Sequence, residues 1–185
     1  MDITKQQLLR AVPTLNLKRV DEFVASFNQW AIPFGINNKE RIVHYLAQVF
    51  HESGELHYVE EIASGQQYEG RKDLGNIHTG DGKLFKGRGY IQLTGRSNYE
   101  AFNKCDLITQ DVVTKPELVS EFPLNQMASM WFWEKNKLNE LADKDDGGKK
   151  GQDVVKAITQ KVNGGYNGLN RRQLYYRKFK KEFGL

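Results

Sequence analysis

Hydrophobic positions along the chain recur mostly at helical spacing. Val20, Phe23, Val24 and Phe27 fall at i, i+3, i+4 and i+7, the signature of one buried helix face. Ile42, Val43, Leu46, Ala47 and Phe50 form a second such stripe. Asn38 stands at its N-cap, Glu40 lies in its first turn, and Gly54 follows its end. Pro33 and Gly35 separate these two helices. Thr4 followed by Gln7 reads as a capping box opening an earlier helix. Leu124, Met127, Ala128, Trp131 and Phe132 predict helix over about 117–142, with Trp131 and Trp133 in the core. Two more helices are expected over 152–162 and 169–183, joined by Asn163-Gly164-Gly165. The fold class is therefore mainly α, with no internal repeat.

Residues 64–98 break this rhythm. Gly65, Gly70, Gly75, Gly80, Gly82, Gly87 and Gly89 punctuate them, predicting loops with a short hairpin. A glycine-rich stretch this long is uncommon between helices unless it carries function, such as the wall of a cleft. Asp143, Asp145 and Gly148 begin like a calcium loop, but its twelfth position is Val154 rather than glutamate, so no metal is expected.

Composition narrows the class. The 185 residues are 39% hydrophobic and 27% charged, a globular balance consistent with one domain over 1–185, either plain or lobed with a cleft. Cys105 is the lone cysteine and is expected to pack as a small buried or half-buried residue. The polar start and the lack of a long apolar run lead us to expect a chain made in the cytoplasm without a signal peptide, reaching its target after release. A net charge of +4 does not specify nucleic acid, but it favours polyanionic surfaces, peptidoglycan among them. The basic 169–183 helix could touch a membrane or wall weakly. Packing of its Leu174, Tyr176, Phe179 and Phe183 face is the preferred reading. A monomer is expected.

Candidate chemistry gathers in two segments. On the 39–53 helix, Tyr45, Gln48 and Glu52 fall at i, i+3 and i+7 beside the apolar stripe. Glu52 occupies the last turn, where the helix dipole and partial burial favour a protonated carboxyl, as a general acid requires. Glu60 and Glu61 follow beyond the Gly54 break. Two carboxylates across a cleft are what glycosidic hydrolysis needs, although spacing alone favours two solvated loop charges. In Phe85–Tyr99, Gln92, Thr94 and Asn98 offer uncharged hydrogen-bonding groups suited to sugar hydroxyls or a held water. Tyr90 and Tyr99 could stack on sugar rings, and Arg88 and Arg96 could orient carboxylates. His51, beside the acid, is expected to pack or hydrogen-bond rather than transfer protons. His44, His51, His57 and His78 show no metal spacing.

These segments resemble one family. His51-Glu52-Ser53-Gly54, Gly87-Arg88-Gly89-Tyr90-Ile91-Gln92-Leu93-Thr94, and Asn163-Gly164-Gly165 with Arg172 and Tyr175-Tyr176 are similar to the family 19 glycoside hydrolases. Tyr68 to Asn76 resembles a run in their phage and prophage endolysin branch. The resemblance covers about residues 40–180. It implies a lysozyme-like, two-lobed helical fold with a central cleft, an inverting mechanism and no cofactor. Glu52 matches the general acid, Glu61 the general base with Glu60 one residue away, and Thr94 the position that helps hold the water. Gln92 and Asn98 match substrate-binding positions. Asn163 and Arg172 match the far side of the cleft, with Arg171 the neighbouring alternative and Arg172 able to pair with a catalytic carboxylate. Glu55 replaces a glycine often found there. The expected substrate is peptidoglycan. Chitin is the alternative, and a glycan-binding relative that does not cut is a third reading.

Overall fold

The computed structural model describes residues 1–185. The chain forms two compact units, Met1–His57 with Met130–Leu185, and Tyr58–Ser129.

The first unit is helical throughout. It holds α1 (Lys5–Ala11), α2 (Val20–Trp30) and α3 (Lys39–Glu52). The end of α6 (Leu124–Lys135), then α7 (Leu138–Ala142), α8 (Lys150–Asn163) and α9 (Leu169–Phe183), complete it. Thr4 and Gln7 make the expected capping box, and Asn38 Oδ1 accepts from Arg41 N–H at 2.8 Å as the N-cap of α3.

The core centres on α3. Every residue from Ile42 to Phe50 is buried, more than a one-sided stripe predicts. A helix enclosed on all faces is a central helix, and its polar residues then need partners inside the protein. α9 is its most extensive neighbour. Phe50 meets Phe179 edge-on at 5.1 Å and Phe23 at 5.5 Å, while Tyr45 meets Trp133 at 5.4 Å. Each fully buried aromatic of this kind contributes about 1.5–3 kcal/mol. On α9 the buried apolar residues are Tyr175, Tyr176, Phe179 and Phe183. Leu174, assigned to that face from the sequence, is instead 42% exposed. Trp131 and Trp133 are in the core as expected.

Asp145, in the loop after α7, turns inward. Its Oδ2 accepts from His44 Nε2 at 2.9 Å and Tyr176 OH at 2.6 Å, and its Oδ1 accepts from Gly147 N–H at 3.0 Å. Burial opposes the carboxylate charge, but these three donors outweigh it and bring Asp145 down to about 2. The loop thus ties α3 to α9 through one side chain.

The second unit contains two single-turn 3-10 segments, Gln66–Tyr68 and Lys72–Leu74. It also has α4 (Asp81–Leu84), α5 (Arg96–Asn103), a 3-10 turn Pro116–Ser120 and the start of α6. The hairpin expected within 64–98 is reduced to isolated antiparallel bridges, Glu60 to Arg88 and Arg88 to Leu93. Side chains satisfy the backbone instead of a ladder. Glu69 accepts from Gly80 and Gly82 N–H at 2.6 and 2.8 Å. Asn76 bridges Tyr68 O and Arg96 N–H. Asp81, almost fully buried, takes a two-point grip from Arg96 at 2.9 and 2.5 Å. The single helix expected over 117–142 is broken into three pieces. Pro123, which lacks an N–H and disfavours helix in the residue before it, interrupts it, as does Lys137 at φ 56°.

Replacing Asp145 by alanine leaves buried donors on His44 and Tyr176 without an acceptor. The expected loss is on the order of 3 kcal/mol, read from urea unfolding at pH 7.

Candidate active site

In the first unit, Glu52 closes α3. A helix end exposes carbonyls rather than donors, so the carboxyl takes its partner from α9. Arg172 Nη2 donates to Glu52 Oε1 at 2.5 Å. The arginine side chain has no exposed surface, while 21% of the Glu52 side chain reaches solvent. The other carboxyl oxygen has no protein partner. The pairing of Arg172 with a catalytic-candidate carboxylate, expected from the resemblance, is present: a buried cation lies against Glu52. Arg172 also donates from Nη1 to Gln48 Oε1 at 2.6 Å and from Nε to Asn167 O at 3.3 Å.

His51 packs under Gly168, the residue before α9. Gly168 sits at φ +70°, and a Cβ built there would overlap the His51 ring. The position needs glycine for both reasons. Burial, reinforced by the charges of Arg172 and Arg171, holds the His51 imidazole down to about 4. It is thus neutral and does not shuttle protons near neutral pH. Glu55, at φ 61°, accepts from Tyr175 OH at 2.6 Å and Arg171 Nη2 at 3.1 Å. Burial works against its charge, but hydrogen bonds from Thr14, Tyr175 and Arg171 leave Glu55 below the usual carboxylate range. Arg172, not Arg171, is the arginine on Glu52. Asn163 ends α8, exposed.

In the second unit, Glu61 and Glu60 differ in their company. Glu61 Oε1 accepts from Gln67 Nε2 at 2.7 Å and Tyr68 OH at 3.1 Å, and its Oε2 from Gly87 N–H at 3.3 Å. All three donors are uncharged. Glu60 lies 3.1 Å from both Arg88 Nε and Lys86 Nζ, so its charge is already matched. Gly87 is the hub: its carbonyl accepts from Glu61 N–H at 2.9 Å. A Cβ on it would stand 2.5 Å from Gln92 Oε1 and 3.2 Å from Thr94 Oγ1. Gln92, at φ 49°, donates to Gly89 O at 3.0 Å. Thr94 Oγ1 donates to Gln92 O at 2.9 Å, which leaves the hydroxyl lone pairs free to accept from a water. Asn98 Nδ2 donates to Thr94 O at 2.8 Å. Glu61, Gln92, Thr94 and Asn98 therefore share one neighbourhood.

Three sequence-based assignments, the substrate-contact roles of Tyr90, Tyr99 and Arg88, are corrected. Tyr90 and Tyr99 are 1% and 0% exposed, so they pack in the core and cannot stack on sugars. Tyr99 OH instead donates to Lys86 O at 2.9 Å. Arg88 is buried, donating to Glu60, Leu84 O and Tyr99 OH. The other expectation, that Arg88 and Arg96 orient carboxylates, is met inside the protein: Arg88 holds Glu60 and Arg96 holds Asp81. Alternation of polar and aromatic residues does not reveal this, because side chains in a bent loop follow no fixed period. Gln67 and Tyr68 were missed for the same reason. Gln48 carried a signal: it lies one turn before Glu52 on α3.

The fold is mainly helical and lysozyme-like, with a carboxyl at a helix end in one unit and a carboxylate beside a polar turn in the other. The chain belongs to the family 19 glycoside hydrolases: residues 10–145 match the family model described as chitinase class I. It is 33% identical over 118 residues to a glycosyl hydrolase family 19 domain-containing protein of Haemophilus influenzae, covering 63% of this chain and 52% of that one. An endochitinase of Arabidopsis thaliana is 31% identical over 170 residues, 88% of this chain and 55% of the relative. The chain thus spans about half the length of the curated relatives it matches. Among solved structures, chitinase C from Streptomyces griseus superposes with a TM-score of 0.67 at 19% identity, over 98% of this chain and 92% of that one. A class IV chitinase from Zea mays gives 0.63 at 20%, over 100% and 83%.

Two outcomes follow. Gly168→Ala is expected to destabilise the fold by about 2 kcal/mol or more, measured by chemical denaturation. His51 is neutral in the folded protein but titrates near 6.5 when unfolded. Its stabilising contribution is complete above pH 6.5 and is lost as pH falls toward 4. Unfolding midpoints at pH 7, 5.5 and 4 should decline, and less steeply in His51→Gln.

Proposed function

We propose that the protein is an inverting glycoside hydrolase that cuts β-1,4 bonds between N-acetylated sugars of bacterial peptidoglycan. The observation that carries the reading is the Arg172–Glu52 pair. A general acid acquires negative charge as it gives up its proton, and a fixed guanidinium stabilises that charge as it forms. Glu52 protonates the glycosidic oxygen through its unpartnered carboxyl oxygen. Glu61 removes a proton from water, and the resulting nucleophile attacks the anomeric carbon from the opposite face. Uncharged donors orient Glu61 without neutralising it, which favours it over Glu60 as the base. Thr94 supplies the acceptor for the same water, and Gln92, Asn98 and the exposed Asn163 supply hydrogen bonds to sugar and acetamido groups.

Membership of family 19 supports the hydrolase class. The basic balance of the chain supports an acidic polymer, whose stem-peptide carboxylates chitin lacks. Chitin is the second reading, favoured by the names of its relatives.

The test is hydrolysis of purified peptidoglycan and of chitin oligomers by folded variants. Glu52→Gln and Glu61→Gln should each lower the rate about 10²–10⁴-fold, whereas Glu60→Gln retains most of it. The first product should carry the inverted, α, anomer. New reducing ends on peptidoglycan, identified after borohydride reduction as muramic acid or glucosamine, define the bond. Chitin cleavage without peptidoglycan cleavage would replace the substrate. Wild-type rates in a folded Glu52→Gln protein would reject the mechanism.

A further inference from the structure

Gln48 is fully buried in the middle of α3, where an amide is costly unless both of its ends are satisfied. Both are, and in only one orientation. Arginine only donates, so the carbonyl oxygen of Gln48 must face Arg172 Nη1, at 2.6 Å. The amide nitrogen then faces Thr159 Oγ1, at 3.4 Å. That hydroxyl already donates its proton to Val155 O at 2.7 Å, so it can only accept from Gln48. A directed chain results, from the α8 backbone through Thr159 and Gln48 to Arg172, and from Arg172 Nη2 to Glu52 Oε1 at 2.5 Å.

Gln48 and Glu52 lie on successive turns of α3, so the two arms of one guanidinium are held by one helix face. Asn167 O accepts from the third nitrogen, Nε, at 3.3 Å. With Gln48 removed, the Nη1 arm loses its protein acceptor, and one of the three points that fix the guanidinium against Glu52 is gone. An amide is the side chain that fits: a carboxylate at 48 would compete with Glu52 for the cation, and an apolar residue would release it. All of these residues belong to the first unit.

We propose that Gln48 is a positioning residue that sets the Glu52 carboxyl through Arg172; its catalytic consequence rests on the reading of Glu52 as the general acid. Gln48 touches no substrate in this role, so its loss should act on kcat and spare KM.

The experiment compares Gln48→Met, Gln48→Glu and Thr159→Val with wild type in the full chain. Three measurements are made on each: thermal unfolding, the pH profile of peptidoglycan hydrolysis, and the titration of the Glu52 carboxyl by carbon-13 NMR. Gln48→Met, similar in volume, should lower kcat on the order of 10²-fold with KM within about twofold, and should displace the Glu52 titration. Gln48→Glu should move the alkaline limb of the pH profile upward, because a second anion then shares Arg172. Thr159→Val keeps the shape, loses only the far link, and should give a smaller loss in the same direction; it serves if Gln48→Met does not fold. Wild-type kcat, pH profile and Glu52 titration in folded Gln48→Met would overturn the proposal, as would a lower unfolding temperature with no change in that titration. A displaced titration with unchanged hydrolysis would uphold the positioning and overturn instead the acid role of Glu52.

Discussion

A guanidinium with no exposed surface sits at the heart of the first unit, and much else is arranged around its needs. Taking an isolated charge out of water is severely unfavourable, so a buried arginine persists only where its nitrogens meet acceptors. Arg172 meets three: the carboxylate of Glu52, the amide oxygen of Gln48 and the carbonyl of Asn167. Those acceptors come from α3 and from the loop before α9. The same requirement makes α3 carry polar residues through a fully enclosed helix, and sets α9 close against it. The stability of the core and the chemistry of the carboxyl are thus one problem with one solution.

The second unit solves a different problem. It has few apolar side chains between residues 60 and 84 and hardly any regular structure there, so its backbone must find partners among side chains. Glu69, Asn76 and Asp81 supply them. Loops held in this way are fixed at many points without long helices or strands. That suits a turn in which Glu61, Gln92 and Thr94 have to converge over a single glycine.

How much of this could be read from sequence depends on whether a residue lies in a periodic element. The α3 and α9 helices, the Asn38 cap and the buried tryptophans follow from helical spacing, and the structure bears them out. The family was legible from short motifs, and the matched family model agrees. The burial of Tyr90, Tyr99 and Arg88 was not legible, since a bent loop assigns inward and outward faces by its path rather than by its period. The pairing of Arg172 with Glu52 came with the resemblance; no local pattern links residues so far apart. Gln48 lay between these cases. Its helical position was plain, but its importance required knowing that the helix is enclosed on every side.

The partners of the two carboxyls differ in where they lie along the chain. Every side-chain contact of Glu61 is made by residues 67 to 87, so its setting can assemble early, as that stretch leaves the ribosome. Glu52 waits for an arginine 120 residues later, and closing so long a loop carries a higher entropic cost than closing a short one. Until α9 is synthesised and docks, the Glu52 carboxyl lacks its guanidinium partner. Under the function proposed above, the acid is completed only after the base.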